Sequence, residues 1–367
     1  MKRFMSLRLF VLTLVAAVGT SFAHPADPTG DIIKYLLYGQ DGVNFKNKAV
    51  VEDTEGWLGA GGGDGFVVGG GSDQVKYGGP VVTHGFSLGH TDNTVASKNW
   101  WVEGNLAVTG AWRGNLTVAG DVLASGSISV ATGTTLNATG AMRDHDATVA
   151  GLVPDIDISG FSYDVPAGTG SQSVSGGTLP PGTYGDVEIS GAVTFTQGDY
   201  YFASITYANT ESGIRVSKPN GTTTRIMVRN GISLGSWNAY GLKLDVSNGD
   251  EYGRVLLYVQ NQTSWTTPSG SGNFRLDATI LMPKATITIG TNANLHGQIL
   301  AKKIVTGDDL TLAGDAFHPW NPVGISLVGA STITLPEHHA ACATPSLARC
   351  RPWRRRDWAR RPARRSR

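Results

Sequence analysis

Asn105-Leu106-Ala107-Val108-Thr109-Gly110 is followed ten positions later by Asn115-Leu116-Thr117-Val118-Ala119-Gly120, so a short apolar-x-apolar triplet returns before a glycine. The pattern occurs again in Ile128-Ser129-Val130, Leu136-Asn137-Ala138-Thr139-Gly140, Thr286-Ile287-Thr288-Ile289-Gly290 and Leu310-Thr311-Leu312-Ala313-Gly314. A period of two indicates strands with one buried face. Such short strands become stable when each stacks on an equivalent strand of the next coil. The repeat therefore predicts an all-β fold, a single-stranded right-handed parallel β-helix (β-solenoid) with a short capping segment.

The N-terminal sequence has the three parts of a secretory signal peptide. Lys2, Arg3 and Arg8 come before an apolar run at residues 9–18, and Ser21-Phe22-Ala23 provides a small-x-small cleavage pattern. A membrane-spanning helix is the alternative, but it needs about 20 apolar residues and the run is shorter. The sequence therefore predicts export, with the mature chain beginning at His24.

Charge is distributed unevenly along the chain. Residues 24–335 contain 17 basic and 27 acidic residues, a formal net charge of −10, whereas residues 336–367 contain ten Arg. An acidic body argues against nucleic acid as a ligand, because phosphate binding requires a basic surface. Both cysteines, Cys342 and Cys350, lie in the basic tail, so the body has no disulfide.

These observations divide the chain into five segments. We expect a signal peptide at 1–23, N-terminal β-helix coils with a cap at 24–140, a polar loop or irregular coils at 141–177, C-terminal β-helix coils at 178–335 and a disordered Arg-rich tail at 336–367. Residues 31–51 are interpreted as the start of the solenoid with its capping segment, because an uncovered first coil would expose a strand edge.

Residues 178–318 contain further motifs that resemble a known family. The motifs are Leu179-Pro180-Pro181-Gly182-Thr183-Tyr184, Gln197-Gly198-Asp199-Tyr200-Tyr201-Phe202, Ala278-Thr279-Ile280-Leu281-Met282-Pro283 and His296-Gly297-Gln298-Ile299-Leu300-Ala301. They resemble the right-handed β-helix domain of exported bacterial surface and polymer-forming proteins, including ones attached to pili or sorted to the envelope through a Pro-Glu-Pro tail. The resemblance implies no catalytic residues.

The tail departs from the pattern of that family. Leu335-Pro336-Glu337 begins like a Pro-Glu-Pro sorting signal, but an Arg-rich run from Arg349 to Arg367 replaces the apolar membrane helix. We interpret this run as a frameshifted sorting helix, and a genuine basic arm for anionic polymers is the alternative. A membrane is therefore an expected partner only through the sorting tail in its restored reading frame.

Acidic pairs in the sequence are compatible with a carbohydrate-active enzyme, since polysaccharide lyases and glycosidases also use β-helices. Asp155 and Asp157 are two residues apart, which would place both carboxylates on one strand face about 7 Å apart. A glycosidase needs two facing carboxylates, and a lyase needs a base beside a calcium-binding acidic cluster. Turn-forming, solvated Asp is the commoner explanation. No cofactor or metal site is predicted, and a structural calcium ion is left open.

Aromatic and threonine patterns suggest two binding modes. Trp100, Trp101 and Trp112 lie near one another in the repeat block, and alternation sends Trp100 and Trp101 to opposite faces, so we expect one of them to face solvent as a platform for sugar rings. Ice binding would require a ladder of Thr-x-Thr at the coil period. It is not expected, because Thr286-Ile287-Thr288 is not repeated in register in the sequence.

The sequence as a whole predicts a secreted structural or adhesive protein without catalytic activity. Its expected location is the cell surface of a Gram-negative bacterium or an extracellular matrix. The expected partners are surface polysaccharide or other envelope proteins. A carbohydrate-active β-helix enzyme, a polysaccharide lyase or glycosidase, is the alternative.

Overall fold

The computed structural model describes residues 35–46, 50–51, 56–62, 64–69, 76–77, 79–89, 95–96, 98–109, 115–151, 156–158, 161–166, 168–209, 212–217, 224–234, 245–246, 255–267, 269, 274–313 and 326–327. These residues form strands and turns, with no α-helix among them. The predicted signal peptide, the predicted tail and Trp112 lie outside the described residues.

The strands are short and regularly spaced, as the repeat predicts. In chain order they are β1 (Tyr35–Phe45), β2 (Val50–Val51), β3 (Trp57–Ala60), β4 (Phe66–Val68), β5 (Lys76–Tyr77), β6 (Val81–Thr83), β7 (Phe86–Leu88), β8 (Val95–Ala96), β9 (Trp100–Val102), β10 (Leu106–Val108), β11 (Asn115–Val118), β12 (Val122–Ala124), β13 (Ile128–Val130), β14 (Thr135–Ala138), β15 (Met142–Arg143), β16 (Phe161–Ser162), β17 (Ser171–Val174), β18 (Gly177–Leu179), β19 (Gly182–Ile189), β20 (Ala192–Phe195), β21 (Asp199–Tyr207), β22 (Gly213–Val216), β23 (Thr224–Leu234), β24 (Asp245–Val246), β25 (Val255–Val259), β26 (Ser264–Thr266), β27 (Phe274–Asp277), β28 (Thr279–Ile289), β29 (Ala293–His296), β30 (Ile299–Thr306), β31 (Thr311–Ala313) and β32 (Ser326–Leu327).

Each coil passes through three faces, and the strands of one face pair in parallel from coil to coil. Face 1 contains β15, β12, β9, β6, β3 and β25 together with the first halves of β1, β30, β28, β23, β21 and β19. Face 2 contains β13, β10, β7, β4, β26 and β17 together with the second halves of the same long strands. Face 3 is built from an eight-stranded and a four-stranded sheet.

The register from coil to coil repeats the sequence period. Phe66 pairs with Phe86 and Phe86 pairs with Leu106, a step of 20 residues each time. Inside the coils, the rings of the register pair Phe66–Phe86 contact edge to face at a centroid distance of 5.6 Å, and Phe86 also contacts Trp100 of face 1 at 4.8 Å. Parallel pairing of stacked coils confirms the predicted parallel β-helix.

Polar side chains and glycines hold the corners between faces. Asn99 Oδ1 accepts the Asp121 N–H at 2.8 Å, and Asp121 Oδ1 accepts the Ala141 N–H at 2.7 Å, so each corner side chain bonds to the backbone of the next coil. Gly104 has a φ of 130°, and a Cβ there would lie 2.4 Å from the carbonyl oxygen of His84. These contacts explain why the strands end in Asn, Asp and Gly.

The order of the coils differs from the order of the sequence. The prediction that residues 31–51 cap the stack is wrong for the described part, because β1 pairs with β3 on one side and with β30 on the other. Coils run from β1 outward to β15, and a second series runs from β17 back to β30. The physical reason is that pairing with β30 satisfies the edge of β1, so no separate cap is needed there.

The segment that joins the two series runs across the outer side of face 1, and we call residues 144–166 the strap. Its buried side chains, Val149, Ile156, Ile158, Tyr163 and Val165, pack on outward side chains of face 1. The Tyr38 hydroxyl accepts the Ile156 N–H at 3.2 Å, and the Tyr258 hydroxyl accepts the Tyr163 N–H at 3.1 Å. In the coils beneath the strap, face 1 is therefore apolar and covered on both sides.

Candidate functional site

The two described tryptophans of the predicted sugar platform are buried. Trp100 and Trp101 do point to opposite sides of face 1, since Trp100 packs in the inner core and Trp101 in the outer cluster under the strap. Their exposed fractions are 0% and 2%, so the prediction that one faces solvent is wrong. The strap covers the outer side of the strand, and Trp101 contacts the ring of Trp57 at 5.9 Å instead of water.

One member of the predicted acidic pair lies among the described residues. Asp155 lies outside the described residues, whereas Asp157 is exposed on the strap between the buried Ile156 and Ile158. This alternation turns Asp157 away from the sheet because its two neighbours face the sheet. In the part of the chain that the structure describes, no group of three or more His, Cys, Asp or Glu is arranged to hold a metal ion.

One acidic side chain has a clear structural role at the start of the strap. Asp146 is buried, and its Oδ1 accepts the Thr148 hydroxyl at 2.6 Å and the Thr148 N–H at 2.9 Å. These two bonds, with the nearby Arg143 guanidinium at 3.5 Å, hold the pKa of Asp146 below its ordinary value. The carboxylate thereby fixes the turn that sends the chain from β15 onto face 1.

The outward side of face 2 is an extended surface of stacked strands, as is the outward side of face 3. Between the two terminal strands β13 and β17, inward positions on face 2 are buried, whereas the outward positions are partly or fully exposed. Across the C-terminal coils the outward side chains are mostly Ser and Thr, and across the N-terminal coils they are small. Those of the N-terminal coils are Asn44, Val67, Ser87, Ala107 and Ser129.

Four strands of face 2 carry outward hydroxyls, which pair in register between β21 and β23 at one position and between β26 and β28 at two, and we call these hydroxyls the hydroxyl patch. Its members are Ser204 and Thr206 on β21, Ser233 on β23, Ser264 and Thr266 on β26, and Thr286 and Thr288 on β28. Ser264 pairs with Thr286 and Thr266 pairs with Thr288. Thr286-Ile287-Thr288 itself is not repeated in register, as predicted, because its neighbours are Ser264-Trp265-Thr266 on one side and Lys303-Ile304-Val305 on the other. The sequence analysis did not find the related Ser-x-Thr motif on β26.

Hydrogen bonds of nearby side chains fix the strands under the patch. Gln262 joins β23 to β26, because its Oε1 accepts the Ile232 N–H at 2.9 Å and its Nε2 donates to the Ile232 carbonyl at 3.1 Å. Just after β26 and β28 end, Thr267 Oγ1 accepts the Gly290 N–H at 2.8 Å. The amide of Gln262 thus supplies side-chain hydrogen bonds to the backbone of β23 beside the patch.

Charged side chains border the patch on both sides. Asp186 is exposed on β19, and the Ser204 hydroxyl donates to its Oδ1 at 2.5 Å. On the other side Lys303 of β30 donates to Asp64 at 2.5 Å, across the contact between the two coil series. The patch itself is uncharged, so its chemistry is that of hydroxyl and methyl groups at fixed spacing. That spacing is about 4.8 Å between strands and about 6.6 Å along a strand.

The strand pairing defines the chain as a parallel β-solenoid. No protein-family model matches the chain, and no curated protein sequence matches it. Among solved structures, an ice-binding protein from an Antarctic biological consortium matches 79% of this chain and 94% of its own chain, with 15% identity and a TM-score of 0.22. At that TM-score the match carries no argument. Across the described residues, no helix is long and apolar enough to cross a membrane.

Proposed function

We propose that this chain is an exported, non-enzymatic β-solenoid that attaches to an ordered extracellular surface through face 2. Its role would be structural or adhesive, at the surface of a Gram-negative bacterium or in an extracellular matrix. The observation that carries the proposal is the hydroxyl patch with its in-register pairs Ser264–Thr286 and Thr266–Thr288. The proposal includes the resemblance of the sequence to exported bacterial surface proteins that carry a sorting tail.

A regular array of hydroxyls suits a ligand that is itself regular. Each Ser or Thr hydroxyl donates one hydrogen bond and accepts others, and each contact alone is weak. A repeating ligand engages many such groups at once, so the overall attachment exceeds that of any single contact. The stacked backbone already fixes the positions of the hydroxyls, so binding costs little conformational entropy.

Sugar binding by stacking on Trp100 or Trp101 has lost its support, because both side chains are buried. A surface polysaccharide remains a suitable partner if it is ordered, since its hydroxyl groups can pair with those of the patch. The side chains of the patch are uncharged, which favours a neutral polymer over a charged one. Other envelope proteins remain the alternative partners.

Ice is a second candidate ligand, favoured by the same in-register pairs. The water oxygens of ice lie at fixed distances from one another. Hydroxyl and methyl groups at fixed positions on adjacent strands can order water molecules in a pattern that matches those distances. The ice-binding protein named above does not support this candidate, given its TM-score. The candidate rests on the Ser-x-Thr and Thr-x-Thr pairs alone.

The experiment compares two matched double variants. Thr266→Tyr with Thr288→Tyr places two bulky side chains on face 2, whereas Thr178→Tyr with Thr194→Tyr places the same pair on outward, in-register positions of face 3. Sedimentation with crystalline cellulose or chitin measures polysaccharide attachment, and partition into a slowly growing ice front measures ice binding. We expect only the face 2 variant to lose most of its attachment. Equal attachment of both variants and the unmodified protein, or attachment to none of these surfaces, would refute the proposal.

The absence of catalysis is part of the proposal and has its own test. Asp157 is exposed on the strap between two buried isoleucines. Polysaccharide breakdown by the purified protein would establish the enzyme alternative if replacing Asp155 and Asp157 with Asn removed it. Breakdown that persisted in this double variant would point to other residues.

A further inference from the structure

The last coil of the first series ends the stack with unpaired strands. Among the described residues, β13, β14 and β15 each pair on one side only, with β10, β11 and β12 respectively. A strand with a free edge presents unpaired N–H and C=O groups that can bond to another strand. We call this end, formed by β13, β14 and β15, the β13–β15 end.

The interior of the solenoid reaches the solvent at this end. Val130 and Met142 pair in register with Val108 and Val122, which are buried in the core, so both point inward. They are nevertheless 37% and 51% exposed, and they are the exposed large hydrophobic residues of the described chain. Their exposure arises because no further coil covers them.

The opposite end of the stack is finished in a different way. There β17 and β18 form the terminal coil, and the inward position that pairs with the buried Val187 is occupied by Gln172, which is exposed. Ser171 and Ser173 on the same strand are exposed as well. A terminal repeat that faces water needs polar side chains, so this end is built to remain free and the β13–β15 end is not.

The charges at the β13–β15 end suit a second copy of the same end. Arg143 and Asp144 are adjacent on and after β15, and the Arg143 side chain is 59% exposed although it contacts Asp146 at 3.5 Å. Two copies related by a two-fold axis bring their β15 strands together antiparallel. In that arrangement Arg143 of each copy can lie beside Asp144 of the other, and the apolar side chains meet.

We propose that the β13–β15 end is a dimer interface that binds the same end of a second copy of this chain. The contact is isologous, so it closes at two copies and leaves both polar ends free. Burial of Val130 and Met142 supplies the apolar centre, and the Arg143–Asp144 contacts fix the orientation.

Sedimentation equilibrium of the full chain over about 1 to 100 µM tests the interface, with reductant present because Cys342 and Cys350 could otherwise cross-link copies. We expect a dimer, and a dissociation constant at least about tenfold higher when both Val130 and Met142 are replaced with Asp. The control replaces Gln172 and Ser173 with Asp at the opposite end and should leave the dimer unchanged. Both changes lie on terminal coils at exposed positions, and far-UV circular dichroism checks that the fold is retained.

A charge exchange provides a second test that does not depend on apolar burial. Arg143→Asp should weaken the dimer, and Arg143→Asp combined with Asp144→Arg should restore it. A monomer at every concentration would overturn the proposal, as would a dimer that survives the Val130 and Met142 changes. Species that grow beyond the dimer, or a dimer lost in the Gln172 control, would indicate head-to-tail contacts instead. A dimer that appears only after deletion of residues 24–34 would show that the chain covers its own end.

Discussion

Replacing Trp101 with Ala tests whether the strap covers face 1. The indole is 2% exposed and contacts the ring of Trp57, which lies two coils away on the same side of face 1. A buried Trp side chain removes about 200 Å² from water, and at about 25 cal/mol per Å² this corresponds to about 5 kcal/mol. Because Ala retains part of that burial and the strap can settle into the space, we expect a loss of about 3 to 5 kcal/mol in the free energy of unfolding.

Urea unfolding followed by far-UV circular dichroism measures this loss, with the m-value as a check that the transition is unchanged. Thr117→Ala is the control, since Thr117 is an outward position on face 3 and its loss should lie within about 0.5 kcal/mol. Limited proteolysis of the strap adds a local readout, because a strap without the indole beneath it opens more often. A loss below about 1 kcal/mol together with unchanged cleavage of the strap would show that Trp101 is not covered, and the sugar platform would regain its basis.

Three other expectations are independent of that one. Ile287→Asp places an unpaired charge in the inner core, so we expect several kcal/mol of destabilisation by urea unfolding, and a stability near that of the unmodified protein would contradict the inward assignment. The pKa of Asp146 is lowered in the folded chain, so the ionised carboxylate stabilises the fold above the ordinary pKa of Asp, and this stabilisation is lost as the pH falls through the lowered pKa. Asp146→Asn should therefore reduce the melting temperature at neutral pH and not in strong acid. An equal reduction at both pH values would contradict the structural role of the carboxylate. N-terminal sequencing of the secreted protein should begin at His24, and retention of residues 1–23 would exclude the predicted cleavage.

The fold could be predicted from the sequence because its information is local. The triplets at Leu106, Leu116 and Ile128 have a period of two, and stacking is the way in which such short strands bury one face. The order of the coils could not be predicted in the same way. Nothing near Tyr35 indicates that its strand pairs with residues more than 250 positions later, because parallel pairing depends on edges and not on neighbours in sequence.

The candidate site was hidden by loops of unequal length. Ser204-Ile205-Thr206 and Ser264-Trp265-Thr266 belong to the same patch. Insertions in the coils between them make the spacing of these motifs along the sequence irregular. A search for Ser-x-Thr as well as Thr-x-Thr, with variable spacing, would have found them. Alternation correctly predicts that Trp101 points to the side of the sheet opposite Trp100. A strand pattern cannot show that another segment of the chain covers that side.

The pairing of β1 with β30 determines when the chain can finish folding. The side-chain amide of Gln298 donates to the Tyr35 carbonyl at 2.6 Å, a contact across 263 residues of sequence. Coils that follow β1 can stack as soon as they leave the ribosome or the export channel, yet one edge of β1 stays open until almost the whole chain has emerged. Contacts at such a separation form slowly, and the open edge can meanwhile pair with another chain. A chaperone that protects the open edge of β1 would therefore be needed until the last coil has been made. A chain truncated before Ile299 would lack β30 and would need such protection permanently.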